Sequence, residues 1–530
     1  MTKDMDIINN GQRPTANISL TAIKKDILSD LDKRLADKVI EPENYTLLAK
    51  LIKQAENSSE AVKIAELGTT YYRTGFHFDK RLEKFSHDIA YFKKNKKLSF
   101  VTDPASITHK LIIGDNYPAL LNLLIEYRNK IDVIYIDPPY GKDSMGDFAK
   151  TNYENAITRD NLLSMLYPRL VLAKQLLSDK GVIFCSIDDR NQAYVKGLFD
   201  EVFEERNFVG TFIKQSKVGG GSDTKFIVKE HEYCMTYCKD VQIADEMFIE
   251  HSKEYLKRYK EEDENGKYFW DTFARPGLQL RVSETLNYPI SCPDGTVIQT
   301  RWIHSKERFE EEYKNGLVRI IKKDDGKWSV QFKQYLNIKG KKPRSLTMDF
   351  GGSIEGKNEI ALIFNNEKIF SYPKSVRFIK ALIDIINNKD MLVLDFFAGS
   401  GTTGQAVLEL NKQDGGKRKF ILVTNNEKTD LTPNGIAHDV TAKRLKRVMT
   451  GKCYDGTNNF EWIKKNQPLG DNLDVYDIAE VANFETTPGK TPFDVIDETL
   501  YGKGKLSTVK EKTEWVCDNF EITQKKLEDK

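Results

Sequence analysis

Residues 131–140 read Ile-Asp-Val-Ile-Tyr-Ile-Asp-Pro-Pro-Tyr. Ile131 to Ile136 is an apolar run of strand length, and Asp137-Pro138-Pro139-Tyr140 stand at its C-terminal edge, where open α/β sheets place their sites. The tetrapeptide gathers a carboxylate, two residues without a backbone N–H and an aromatic ring. The prolines stiffen the chain and leave their carbonyls free to accept hydrogen bonds. Asp137 and the Pro138 carbonyl can hold a planar amine while Tyr140 stacks on its ring. This is the shape of a site for the exocyclic amino group of a nucleobase. Asp-Pro-Pro is also a common loop punctuator, so the reading gains its weight from a second motif.

Residues 391–404 read Met-Leu-Val-Leu-Asp-Phe-Phe-Ala-Gly-Ser-Gly-Thr-Thr-Gly. Leu392 to Phe397 reads as a second buried strand, Ala398 to Gly404 as a turn, and Gln405-Ala-Val-Leu-Glu-Leu as the start of a helix. Gly399 and Gly401 let backbone N–H groups approach a ligand closely. With Gly404 they also satisfy a dinucleotide-binding pattern. Asp395, however, lies inside the strand, where that pattern has no special acid. A carboxylate there suits a ligand with an ammonium group, such as the amino-acid end of S-adenosylmethionine. No nucleoside-triphosphate loop of the G-x-x-x-x-G-K-[ST] type occurs. A glycine turn that merely packs a helix on a sheet is the plain alternative.

Together the two motifs resemble those of the DNA amino-methyltransferases, which act on adenine N6 or cytosine N4. Asp137, Pro138, Pro139 and Tyr140 match that family's catalytic motif. Asp395, Phe396, Phe397, Ala398, Gly399, Ser400, Gly401 and Thr402 match its cofactor motif. The catalytic motif comes first, and the cofactor motif follows about 260 residues later. That order marks the permuted β class. The resemblance implies an α/β, Rossmann-like S-adenosylmethionine-dependent methyltransferase core with a mainly parallel sheet. It also implies an inserted target recognition domain, helical accessory segments, base flipping and no metal. Asp115, in Ile112-Ile-Gly-Asp-Asn116, resembles an acid near the cofactor, and Lys374 resembles a lysine that approaches the cofactor carboxylate. Glu427 takes the place of the ribose-binding acid, with Asn425-Asn426 intervening. His231-Glu232-Tyr233 resembles a motif beside the target-base pocket; a solvated strand edge reads equally well.

Leu162–Leu177, Gly181–Asp189, Phe199–Phe208 and Thr491–Gly502 resemble segments of type III Mod subunits, the modification and recognition half of a restriction–modification pair. That resemblance implies a double-stranded DNA substrate, a homodimer and a Res (helicase/nuclease) partner. Gly141-Lys142-Asp143 departs from the Asn-Thr-Gly that often follows the tetrapeptide. Pro168 interrupts a helical pattern, and a kink or a helix start is expected there. A stand-alone adenine-N6 or cytosine-N4 DNA methyltransferase would look much the same. Cytosine enzymes more often begin the tetrapeptide with Ser, so Asp137 favours adenine. A dinucleotide-dependent oxidoreductase would leave Asp137–Tyr140 unexplained, and a DNA-binding module without catalysis would not need both motifs intact.

A chain of 530 residues is expected to form more than one domain. The expected division begins with a helical accessory region at 1–99, with Ser19 capping a helix from Leu20 to Ala36. The methyltransferase core, with its catalytic motif, opens at 100–244. A target recognition domain interrupts it at 245–355, the core resumes with its cofactor motif at 356–450, and a tail at 451–530 is suited to dimerisation. In the recognition region, Arg275, Arg281, Arg301, Lys339, Lys341, Lys342 and Arg344 are candidate DNA contacts. Lys217-Val-Gly-Gly-Gly-Ser-Asp223 reads as a flexible basic loop. The net charge of +2, with 30% charged and 11% aromatic residues, is that of a globular protein and calls for only a local basic surface. No apolar signal core or membrane-length run is seen. Six scattered cysteines point to free thiols in a reducing cytoplasm. Cys234 and Cys238 lack a second ligand pair and read as structural thiols.

Overall fold

The computed structural model describes residues 20–36, 40, 42–67, 88–140, 158–216, 225–275, 284–347 and 350–482. The chain divides into two compact units, one of residues 1–86, 139–172 and 188–202, the other of residues 87–138, 173–187 and 203–530. In the first, helices Leu20–Ala36, Pro42–Gln54 and Ser58–Leu67 pack around Leu31, Ala49 and Ile52. Ser19, Lys217–Asp223, Arg281 and the segment beyond 482 lie outside the described residues. Pro168 neither starts nor ends a helix: it stands inside Thr158–Leu176. Proline removes one helical donor, and the Arg169 guanidinium bonds the Met165 carbonyl at 2.8 Å in the same turn.

The strands are β1 (Asp88–Lys94), β2 (Thr108–Ile113), β3 (Ile131–Ile136), β4 (Leu177–Ile187), β5 (Phe208–Gln215), β6 (His231–Cys238), β7 (Glu261–Asp263), β8 (Gly266–Thr272), β9 (Asn287–Ser291), β10 (Val297–Arg301), β11 (Val318–Lys322), β12 (Trp328–Tyr335), β13 (Leu346–Thr347), β14 (Leu392–Asp395), β15 (Lys419–Thr424) and β16 (Asn472–Ala482). All belong to the second unit. Ten of them form one sheet in the order β1-β16-β2-β15-β14-β3-β4-β6-β5-β13. From β16 to β4 the neighbours run parallel, and β1, β6 and β5 pair antiparallel. The central strands are continuous apolar runs because both faces are covered. Val133, Val182, Val393, Leu422 and Val475 share one core with Phe378, Ile379 and Leu382 of the Val376–Asp384 helix and Leu408 of the Thr402–Asp414 helix. The expected α/β fold with a mainly parallel sheet is therefore present.

Two expected borders move. β1 pairs with β16 from Asp88↔Ala482 to Lys94↔Tyr476, so the sheet begins before residue 100 and extends past 450. β1 is the outermost strand, with β16 between it and β2, and β1 ends in Lys93-Lys94, the charged dressing of an edge strand. Such strands lack the apolar signature that betrays the central ones.

Between β6 and β13 the chain leaves the large sheet. β11-β12-β8-β7 make a four-stranded sheet and β9-β10 a ribbon, with a core of their own around Phe273, Tyr288, Trp302, Phe309, Val318 and Val330. The base of this insert is pinned by two backbone bonds, Ile249 N to Lys341 O at 2.8 Å and Lys341 N to Ile249 O at 2.9 Å. Gly340 makes that approach possible. Its φ is +112°, and a Cβ there would stand 2.4 Å from the Ile249 carbonyl oxygen. Among the described residues no helix is long and apolar enough to cross a membrane.

Gly340→Ala should destabilise the protein by about 1–3 kcal/mol through backbone strain. Urea denaturation would measure this, and an unchanged midpoint would show that the pin bears no strain.

Candidate active site

β14 lies beside β3 with Val393 opposite Val133 and Leu394 opposite Ile134. The two quoted motifs, far apart in sequence, thus leave adjacent parallel strands at the same C-terminal edge. On one side the chain passes from β14 to β15, on the other from β3 to β4. The crevice outside such a reversal point is where open α/β sheets hold ligands. Asp137 follows β3 directly. Further along the tetrapeptide, the Tyr140 carbonyl accepts a hydrogen bond from Asn191 Nδ2 at 2.8 Å.

The glycine turn is held from several sides. Asp395 is buried, and its carboxylate accepts the Phe397 N–H at 3.0 Å and the Thr403 hydroxyl at 2.5 Å. Burial, with a smaller push from the Asp137 charge, raises its pKa to about 7 despite those donors. Asn116 Nδ2 donates to the Phe396 carbonyl at 2.8 Å, tying the end of β2 to the turn. Gly399 and Gly401 adopt φ of +47° and +78°, and Gly401 caps the Thr402–Asp414 helix. Nothing local in the sequence announces the next support. Arg444 is fully buried, and its guanidinium donates to Ser400 Oγ at 3.0 Å, Thr402 Oγ1 at 2.9 Å and Gln405 Oε1 at 2.9 Å. Burial draws its pKa down to about 10. A wide helical turn, Ala437–Ala442, precedes it and brings the Thr441 hydroxyl onto the Gly399 carbonyl at 2.5 Å. Such turns recur at functional sites.

A chain of charges lies beside Asp137. Lys374 Nζ is 3.2 Å from Asp137 Oδ1 and 2.9 Å from Glu232 Oε2. Lys214 Nζ lies 3.9 Å from the same Glu232 oxygen. Lys374, expected near a cofactor carboxylate, is therefore placed on two carboxylates of the chain itself. The remaining expected positions are more dispersed. Asp115 caps the Asn116–Tyr127 helix by accepting Tyr117 N–H at 2.7 Å. Glu427 follows β15 half-buried, its carbonyl accepting Ile436 N–H at 2.9 Å. Cys234 is buried in β6, its thiol pushed up to about 12 by burial. Among the described residues no group of three or more His, Cys, Asp and Glu could hold a metal ion.

The candidate DNA contacts fall in two places. Arg275 and Arg301 are joined by a backbone bond of 2.8 Å. Lys339 and Lys342 both face Glu246, at 3.6 and 3.5 Å, beside Lys341 and Arg344. Sequence reasoning passed over a third group. On β8, β11 and β12, Arg319 lies over the Trp270 ring at 4.1 Å and Lys333 over Tyr268 at 4.5 Å. A cross-strand period-of-two count could have found it.

The model of a family described as DNA methylase matches residues 131–429, more than half of the chain. The chain belongs to the DNA methylase family. A second model, for an uncharacterised conserved protein, matches residues 24–133. The type II methyltransferase M.KpnI of Klebsiella pneumoniae is 32% identical over 392 residues, covering 68% of this chain and 90% of that protein. The Mod subunit of the type III restriction–modification enzyme StyLTI, from Salmonella typhimurium, is 32% identical over 431 residues, 72% of this chain. The EcoPI Mod subunit of Escherichia phage P1 is 29% identical over 400 residues, 64% of this chain. The chain spans 64% and 62% of the lengths of these two Mod subunits. The methylase match begins at the first residue of β3 and runs past the glycine turn, so it contains both strand ends described above.

Arg444→Met should cost about 2–4 kcal/mol, because it leaves Ser400, Thr402 and Gln405 buried without their donor. Chemical denaturation checks this; stability within 0.5 kcal/mol of the parent, roughly the spread of surface changes, would contradict it.

Proposed function

We propose that this DNA methylase is an adenine-N6 methyltransferase of double-stranded DNA, serving as the modification and recognition subunit of a type III restriction–modification system. The observation that carries the chemistry is the pairing of β14 with β3, which brings Asp137 and the glycine turn to one edge of the sheet. The likeness to Mod subunits supports the type III assignment, with a homodimer, a Res partner and a cytoplasmic setting as its corollaries. A stand-alone enzyme like M.KpnI is the second reading, favoured by the greater share of that protein which the chain covers.

The chain's residues fit S-adenosylmethionine. Asp395 is a buried acid that no described cation bonds, a site for an ammonium group. The turn from Phe396 to Thr402 opens at a helix N-terminus through positive-φ glycines, and Asp115, after β2, and Glu427, after β15, are the further acids we assign to the cofactor. When bound, that cofactor supplies an electrophilic sulfonium methyl group. An amine inside a duplex is out of reach, so the adenine must be flipped. Asp137 and the Pro138 carbonyl accept the two amino N–H groups, which draws the nitrogen lone pair out of conjugation with the ring. Tyr140 stacks on the base. Positioning and preorganised charge then account for the acceleration, with no nucleophilic side chain required.

The deciding experiment is modification-sensitive long-read sequencing of DNA from a methylation-free host that expresses the chain or its Asp137→Ala variant. N6-methyladenine at one asymmetric site, on one strand, and absent with the variant, is expected. Methylation of both strands of a palindrome would favour the stand-alone reading, and none at all would refute the function. Cofactor affinity should also depend on pH. Asp395 must be ionised to meet an ammonium group, so binding weakens as pH falls through about 7. The loss from about pH 8 to pH 6 should be about tenfold by calorimetry, and Asp395→Asn should flatten the profile. A flat profile in the parent protein would rule out this role for Asp395.

A further inference from the structure

Four charged side chains alternate in sign at the edge that carries Asp137. Lys214 on β5 and Glu232 on β6 are cross-strand partners. Lys374 stands in the loop before the Val376–Asp384 helix, whose N-cap Ser375 accepts Phe378 N–H. Asp137 ends the row. The shortest of the three contacts is Lys374 to Glu232, at 2.9 Å; Lys374 to Asp137 is 3.2 Å and Lys214 to Glu232 is 3.9 Å. The lysine is thus anchored on Glu232 and reaches from there to Asp137.

Lys214 is only 1% exposed, its ammonium makes no hydrogen bond among the described residues, and it lies 5.0 Å over the Phe378 ring. A buried cation is expensive unless an anion compensates it, and Glu232 is the acid within reach. Burial alone would push the Glu232 pKa up, but Lys374 and Lys214 outweigh it and hold the acid below the ordinary range. Burial alone would draw Lys374 down, but Asp137 and Glu232 hold it above its ordinary value. Both members of the central pair therefore stay charged.

We propose that Glu232 is a positioning residue for methyl transfer, holding the Lys374 ammonium against the Asp137 carboxylate that receives the target amine. This rests on the methyltransferase reading. Glu232 does not meet the amine itself. It fixes the lysine, the lysine fixes the orientation of the Asp137 carboxylate, and the acceptor is in place before the base arrives. Lys374 accordingly serves the target side of the site, where two acids already engage it, and not the cofactor. Lys214 supplies the positive charge behind Glu232 that keeps the row balanced.

The test measures transfer of radiolabel from S-adenosylmethionine to DNA of a methylation-free host. The full chain is compared with Glu232→Gln, Lys374→Met and the double variant, and cofactor affinity by calorimetry reports folding. Glu232→Gln should lower kcat about tenfold or more while the KM for S-adenosylmethionine stays within about twofold. In the Lys374→Met background the same change should cost almost nothing further, because the two act as one unit. Glu232→Asp, which keeps the charge, should recover part of the rate and serves in place of Glu232→Gln if that variant fails to fold. Three outcomes would overturn the proposal with an active parent enzyme: unchanged kcat, fully additive losses, or a loss that falls on cofactor affinity. An inactive parent enzyme would instead overturn the methyltransferase reading on which it rests.

Discussion

Two residue pairs, Val393 with Val133 and Leu394 with Ile134, hold β14 against β3. Everything at the site hangs on that short parallel contact. It makes neighbours of two strand ends that the chain visits far apart, and it creates the reversal of strand order that opens a crevice. The order in which the motifs occur along the sequence is then of no account to the chemistry. Only strand adjacency and register matter, and a shift of one residue would turn every side chain of β14 to the wrong face.

Around that contact the molecule manages buried charge. Asp395, Arg444, Lys214 and the Lys374–Glu232 pair all sit where water is scarce, and each is answered by a specific partner or a short row of partners. In such surroundings an unanswered charge costs several kcal/mol, so the groups specify one arrangement of the loops. The glycine turn shows this division of labour: its glycines supply backbone freedom, and Arg444, Thr441, Thr403 and Asn116 remove that freedom again.

What could be read from sequence follows the same physics. β3, β14 and β15 are apolar on both faces and announce themselves as runs, and the glycines and prolines punctuate them. The fold class and both motifs were therefore legible. β1 was not, because an edge strand carries polar residues and resembles the loops around it, and β16, its inner neighbour, alternates apolar with charged residues along Asn472–Ala482. At Pro168 local chemistry allows a helix start or a kink, and the helix does not start there but runs through it. Arg444 and the placement of Lys374 were invisible because burial of a charge is set by residues distant in sequence, 39 to 44 positions away for Arg444 and 142 for Lys374 and Glu232. A single chain records the lysine, not the two acids that meet it.

The pinned base of the insert has an evolutionary consequence. Ile249 and Lys341 close the chain on itself across two backbone hydrogen bonds, and what lies between carries its own core. A segment tied off in this way is a cassette. Its length and surface can drift, recombine or be exchanged between lineages while the strands bearing Asp137 and Asp395 keep their register. Selection can then act on cassette and sheet at different speeds within one polypeptide.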